Sequence, residues 1–116
     1  MLGLLLAACT AVPDLSGGRR SVVAIDGEAP VGEPWIQFDR DDLSGSTGCN
    51  SFRASYDYAD GQLSVGPIAA TKRFCRTDLA RQESRVFEIL GSDLTVRAGS
   101  GLLLESESGS LRLANQ

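Results

Sequence analysis

From residue 20 onward, most of the chain consists of short runs in which apolar and polar residues alternate, broken by turns rich in glycine and aspartate. Successive side chains of a strand point to opposite faces, so this period of two predicts half-buried β-strands. Residues 20–26 carry Val22, Val23 and Ile25 ahead of the turn Asp26-Gly27. Residues 35–39 place Ile36 and Phe38 on one face and Trp35 and Gln37 on the other, and the following Asp39-Arg40-Asp41-Asp42 reads as a charged turn. The cleanest alternation is at 50–58, with Phe52, Ala54, Tyr56 and Tyr58 opposite Arg53, Ser55 and Asp57. Ala59-Asp60-Gly61 turns the chain into 62–65, where Leu63 and Val65 point inward, and Gly66-Pro67 predicts a bend or bulge before a strand at 68–74. Three further strands are expected at 94–98, 102–107 and 110–114, the last two joined by a turn at Ser108-Gly109.

One segment has a different period. Residues 78–90 bring Leu79, Val86, Phe87 and Leu90 onto one stripe of a helix, with Thr77 or Asp78 as its cap and Gly91 as its stop. At 100° per residue, Glu83 falls inside that stripe, where a carboxylate needs a partner. Lys72, Arg73 and Arg76 feed the helix, so a structural ion pair between Glu83 and Arg73 is the favoured expectation, ahead of a ligand contact or a side chain reaching out to water. A β-rich pattern with one late helix defines the class as α+β. The expected architecture is a strongly curved antiparallel sheet, a partial barrel, with the helix packed against it or plugging one end.

Two cysteines bracket the clearest strand. Cys49 follows the Gly-Ser-rich stretch 44–48, Cys75 precedes the helix, and they stand 26 positions apart. A reactive thiol needs a group that holds it as thiolate and usually a base beside it, yet the chain has no histidine. A zinc site needs about four ligands, and two thiols without CxxC spacing do not supply them. A structural disulfide is the expected role in an oxidising compartment, and no metal or cofactor is expected.

The chain opens Met1-Leu2-Gly3-Leu4-Leu5-Leu6-Ala7-Ala8-Cys9. An apolar run ending in small residues resembles the end of a signal peptide, and Leu6-Ala7-Ala8-Cys9 resembles the lipobox of bacterial lipoproteins. That resemblance implies cleavage after residue 8, lipidation of Cys9 and a membrane anchor. With no basic residue ahead of Leu2, the translation start is expected upstream. The rival reading is an apolar N-terminal strand with a buried free Cys9. Residues 9–19, with their Pro, Ser and Gly content, read as a tether, and 20–116 as one folded domain. Thr10, where the familiar sorting rule would have Asp for inner-membrane retention, implies the outer membrane.

A net charge of -4 gives no electrostatic reason to expect nucleic acid. Five of the eleven basic residues, Lys72, Arg73, Arg76, Arg81 and Arg85, crowd one segment, but Asp78, Glu83 and Glu88 interleave, so a mixed solvated face is expected there. No catalytic residue is assigned: Ser44, Ser46 and Thr47 lack a histidine base, and Asp39, Asp41 and Asp42 lack calcium-loop spacing.

The ordered set Gly48-Cys49-Asn50-Ser51-Phe52, a tyrosine-bearing strand, Ile68-Ala69-Ala70-Thr71-Lys72-Arg73-Phe74-Cys75, and Gln82-Glu83 early in a helix resembles the META domain of the HslJ family. Members usually begin the first strand with Trp, where this chain has Ser21. The resemblance covers about residues 20–115 and implies a small, non-enzymatic envelope protein, often a lipoprotein, linked to stress tolerance. A monomer acting by binding is expected. Two alternatives stay open. A carrier for an apolar ligand would need a cavity lined by Phe52, Tyr56, Ile68 and Phe87. An inhibitor of a secreted hydrolase such as lysozyme would need an exposed rigid loop, with 39–47 the candidate.

Overall fold

A computed structural model describes residues 12–115. The lipobox and Cys9 lie outside the described residues. The strands are β1 (Arg19–Ile25), β2 (Trp35–Phe38), β3 (Asp42–Ser46), β4 (Ser51–Ala59), β5 (Gln62–Val65), β6 (Ala69–Ala70), β7 (Leu94–Gly99), β8 (Gly101–Glu105) and β9 (Ser110–Leu113). Among the described residues there is one helix, α1 (Thr77–Leu90), which connects β6 to β7. All strand pairs are antiparallel, in the order β3-β2-β1-β9-β8-β7-β5-β4, and β3 then pairs with β4. The curved sheet therefore closes into an eight-stranded barrel, with β6 as a two-residue addition beside β4. Closure leaves the barrel itself without a free edge.

Alternation decides the interior. Ile36 and Phe38 of β2 point inward, as do Phe52 and Ala54 of β4, Leu94 and Val96 of β7, and Leu111 and Leu113 of β9. A barrel of eight strands has just enough room for such side chains to fill it. The helix supplies Val86, Ile89 and Leu90 to the same core. Leu79 and Phe87 of the expected stripe are only half-buried, while Ile89 takes a place that the periodicity did not assign.

Three stretches depart from their expected form. Residues 39–47 are not a loop, because Asp42–Ser46 forms β3, sandwiched between β2 and β4. The strand expected at 68–74 ends at Ala70, and Phe74 lies in an exposed connection. Tyr56 faces Val65 but Arg53 faces Ala69, so one extra residue is accommodated near Gly66-Pro67, as a bulge there requires. The tether also packs: Leu15 is buried in the core, and Pro13 accepts a hydrogen bond through its carbonyl from the Tyr58 hydroxyl at 2.6 Å. The buried Arg20 guanidinium ties this segment down, donating to the carbonyls of Ser16 (3.0 Å) and Ala114 (3.1 Å). Residues 12–18 thus close the barrel end opposite the one that meets α1.

Candidate functional site: the helix-to-barrel lock

The residues singled out by sequence meet at the β3–β4 turn. Thr47 donates its backbone N–H to the carbonyl of Asn50 at 3.0 Å, and Gly48 between them takes φ 95°, a left-handed conformation natural to glycine. The turn thereby presents the Thr47 hydroxyl and the Asn50 amide to the helix. Thr47 is completely buried and Asn50 nearly so.

Glu83 arrives from α1 as the acceptor for both. Its Oε1 accepts hydrogen bonds from the Thr47 hydroxyl at 2.7 Å and the Asn50 backbone N–H at 3.2 Å, while its Oε2 accepts one from Asn50 Nδ2 at 3.0 Å. Arg73 is therefore not the partner of Glu83, contrary to the expected ion pair. Neutral donors satisfy the carboxylate, and they do so from a rigid turn rather than from a long side chain that would have to be ordered. Arg73 takes part through its backbone alone, whose N–H donates to Asn50 Oδ1 at 2.6 Å. Thr71 donates its hydroxyl to the same oxygen at 2.9 Å. Asn50 is thus a hub, donating to the helix and accepting from the connection after β6.

Gln82 extends the lock. Its Oε1 accepts the Val31 N–H at 2.8 Å and its Nε2 donates to the Val31 carbonyl at 2.9 Å, so the side-chain amide pairs with Val31 as a neighbouring strand would. The same Nε2 donates to the Thr47 carbonyl at 2.8 Å. On the next turn Arg85 bonds Asp26 at 2.6 Å and also contacts Ser108 and Glu88. The Arg85 guanidinium holds the Asp26 carboxyl below the usual carboxylate range, with a smaller contribution from the Ser110 N–H. The helix is fixed successively to the β3–β4 turn, the β1–β2 connection and the β8–β9 turn. Its own N-terminus lacks the expected cap. Arg76 occupies the N-cap position without a side-chain bond to the helix backbone, and Asp78 accepts the Leu79 N–H from inside the first turn. Gly91 ends the helix in a right-handed conformation, φ -76°.

Cys49 and Cys75 are disulfide-bonded, with Cα atoms 5.9 Å apart. The bridge joins the same turn to the start of the helix. The sequence motifs therefore converge on one place, and each polar side chain in it already serves another part of the fold.

The four residues considered as a pocket lining do not enclose one. Phe52 packs edge-to-face on Phe87 with centroids 5.4 Å apart, Tyr56 packs likewise on Phe38, and Ile68 rests against the core. Phe52 and Tyr56 border different hollows, so no described hollow has the lining that the carrier reading requires. The inhibitor reading loses its loop to β3. A large hollow of about 870 Å3 lies instead outside the opposite barrel end, lined among others by Asp14, Leu15, Asp39, Asp41, Tyr56 and Tyr58. Both phenols there are pushed up by burial, and Tyr56 further by Asp39, Asp41, Asp42 and Asp14. They remain protonated donors, engaged with the carbonyls of Asp39 and Pro13. Among the described residues no cluster of three or more metal-ligating side chains occurs, and no helix is long and apolar enough to cross a membrane.

Comparison with known proteins identifies the fold. No curated protein matches the chain. One solved NMR structure superposes with a TM-score of 0.73 at 23% identity, covering 86% of this chain and 90% of its own. A second, of a protein from Burkholderia xenovorans, gives a TM-score of 0.65 at 20% identity over 90% of each chain. The META domain family model matches residues 13–116, starting inside the segment that Leu15 anchors. This chain belongs to the META domain family.

Proposed function

We propose that the protein is a non-enzymatic binding module of the bacterial cell envelope, lipid-anchored through Cys9 and acting in envelope integrity or stress tolerance. The observation that carries this reading is the fate of its motif residues. Thr47, Asn50, Thr71, Gln82 and Glu83 bond one another or the backbone, and Cys49 and Cys75 are joined, so the most distinctive polar residues hold the fold together. A disulfide of this kind fits an oxidising compartment, and an apolar run ending in Ala-Ala-Cys fits export to it. Thr10 favours the outer membrane as the site of anchoring, facing the periplasm. The domain then meets its partners as a rigid body.

Intact mass of protein purified from native membranes, before and after reduction and alkylation, tests the reading. A chain starting at Cys9 and carrying acyl groups, with two thiols released only by reduction, is the expected result. An unprocessed chain with three free thiols overturns it.

A further inference from the structure

The connection between β6 and α1 is tied inward at Thr71, the Arg73 backbone and Cys75, while the side chains of Lys72, Arg73 and Phe74 are exposed. Thr71 N–H donates to the Ser51 carbonyl at 3.0 Å, Arg73 N–H donates to Asn50 Oδ1 at 2.6 Å, and Cys75 is bridged to Cys49. Between these fixed points Phe74 stands 103% exposed, touching nothing that would cover its ring, whereas the other exposed large apolar residues, Val12, Val23 and Val31, reach 50% at most. Immediately before it are Lys72 and Arg73, both exposed and in no ion pair among the described residues; Arg76, beyond the bridged Cys75, bonds Asp78. An aromatic ring held out in water beside two uncommitted cations is costly to keep unless something receives it.

We propose that this loop is a membrane contact: Phe74 enters the interfacial region of an anionic bilayer while Lys72 and Arg73 meet lipid phosphates. The choice of a lipid surface over a protein follows from size and charge. A standard protein interface buries about 800 Å2 on each partner around an apolar centre. Here the large apolar contribution is one fully exposed ring on a loop. A bilayer interface needs no matching pocket, accepts a single aromatic ring, and attracts basic residues beside it. The clamped backbone means that little freedom is lost on contact.

The loop lies beside the first residues of β4, and the N-terminal segment packs near the last, at Tyr58. Nine residues of strand separate them by about 25 Å. With Cys9 lipidated, contact at both ends lays the barrel along the membrane. The Phe74 contact itself does not depend on that anchor.

Emission from a tryptophan at the loop reads the contact separately from the N-terminus. In the full chain carrying F74W with W35F, phosphatidylcholine vesicles containing phosphatidylglycerol are expected to shift the emission to the blue. Pure phosphatidylcholine vesicles are expected to shift it much less, and K72Q/R73Q to weaken the effect about thirtyfold. Vesicle binding through residues 1–9 leaves this emission unmoved, so failure of the lipid-anchor reading and failure of this one are distinguishable. No shift with anionic vesicles overturns the proposal. So does a shift indifferent to K72Q/R73Q, or a blue emission that grows with protein concentration without vesicles, which assigns Phe74 to a protein contact. F74S in the otherwise native chain gives a second reading, since an exposed ring can be removed without opening the core: anionic vesicles should bind it more weakly than the parent, and equal binding overturns the proposal.

Discussion

The side chain of Glu83 in α1 accepts hydrogen bonds from both the backbone N–H and the Nδ2 amide of Asn50, at 3.2 and 3.0 Å, across 33 residues of sequence. Bonds from neutral donors to an ionised acceptor contribute roughly 1.5–3 kcal/mol, more than neutral pairs. Replacing Glu83 by Ala should therefore cost about 3 kcal/mol, because the Asn50 amide and Thr47 hydroxyl lose their acceptor inside the fold. Glu83→Gln keeps one acceptor oxygen but turns an NH2 group toward a donor, and should cost about 1–2 kcal/mol. Urea unfolding of the two variants checks the order; an unchanged midpoint for both would show that the lock does not stabilise the helix.

Removing the disulfide should act mainly on the unfolded chain. Closing a loop of 26 residues stabilises by about 3–4 kcal/mol in the chain-entropy model. The double variant C49S/C75S should unfold at correspondingly lower denaturant, and reductant should move the parent to the same midpoint while leaving the variant unmoved.

Leu15 reports whether residues 12–18 belong to the domain. It is 4% exposed although its neighbours are Asp14 and Ser16. Leu15→Ala should cost about 2–3 kcal/mol, in the lower part of the range for buried leucines because the barrel end can relax. A cost under about 0.5 kcal/mol, the level of an ordinary surface change, would return the segment to the role of spacer.

Acid should selectively weaken the Asp26–Arg85 contact. The folded carboxyl is held below its unfolded value, so its stabilisation is complete above about pH 4 and is lost as pH falls through the lowered folded value. More than a third of the Asp26 side chain is exposed, which limits the effect to about 1 kcal/mol or less. Asp26→Asn is the suitable comparison, because residue 26 has φ 53° and Asn tolerates that conformation. Stability measured from pH 6 to pH 3 should fall less steeply in the variant than in the parent; parallel curves would rule out the contribution.

Strand alternation and the helical stripe were enough to indicate a curved sheet with one late helix. What they could not show was β3, whose inward positions are Leu43 and Gly45, so that only one of the two carries an apolar side chain. A Cβ at Gly45 would press on the Trp35 carbonyl and come within 2.7 Å of the Phe52 ring, so the missing side chain that permits the packing also weakens the apolar signal. Leu15 was hidden for a related reason, being a single apolar residue among Pro, Asp, Ser and Gly. Periodicity placed Glu83 correctly in the inward stripe, but a search for opposite charge led to Arg73. Thr47 and Asn50 carry no charge and are 36 and 33 positions away, so only the folded turn reveals them as donors. The strand predicted beyond Ala70 fails because the backbone of Arg73 is drawn to Asn50 instead of continuing along β4.

The seam of the barrel runs between β1 and β9, pairing Val22 with Leu113. A ribosome delivers the first of these strands early and the second near the end of translation. Until residues 110–113 have emerged, β1 has β2 on one side and a bare row of amides and carbonyls on the other, as does β8 beyond β7. The ring can close only once the whole sequence is on the same side of any membrane it crosses. An unfinished or stalled chain therefore presents two sticky edges to its neighbours, and protection from helper proteins matters most over that interval.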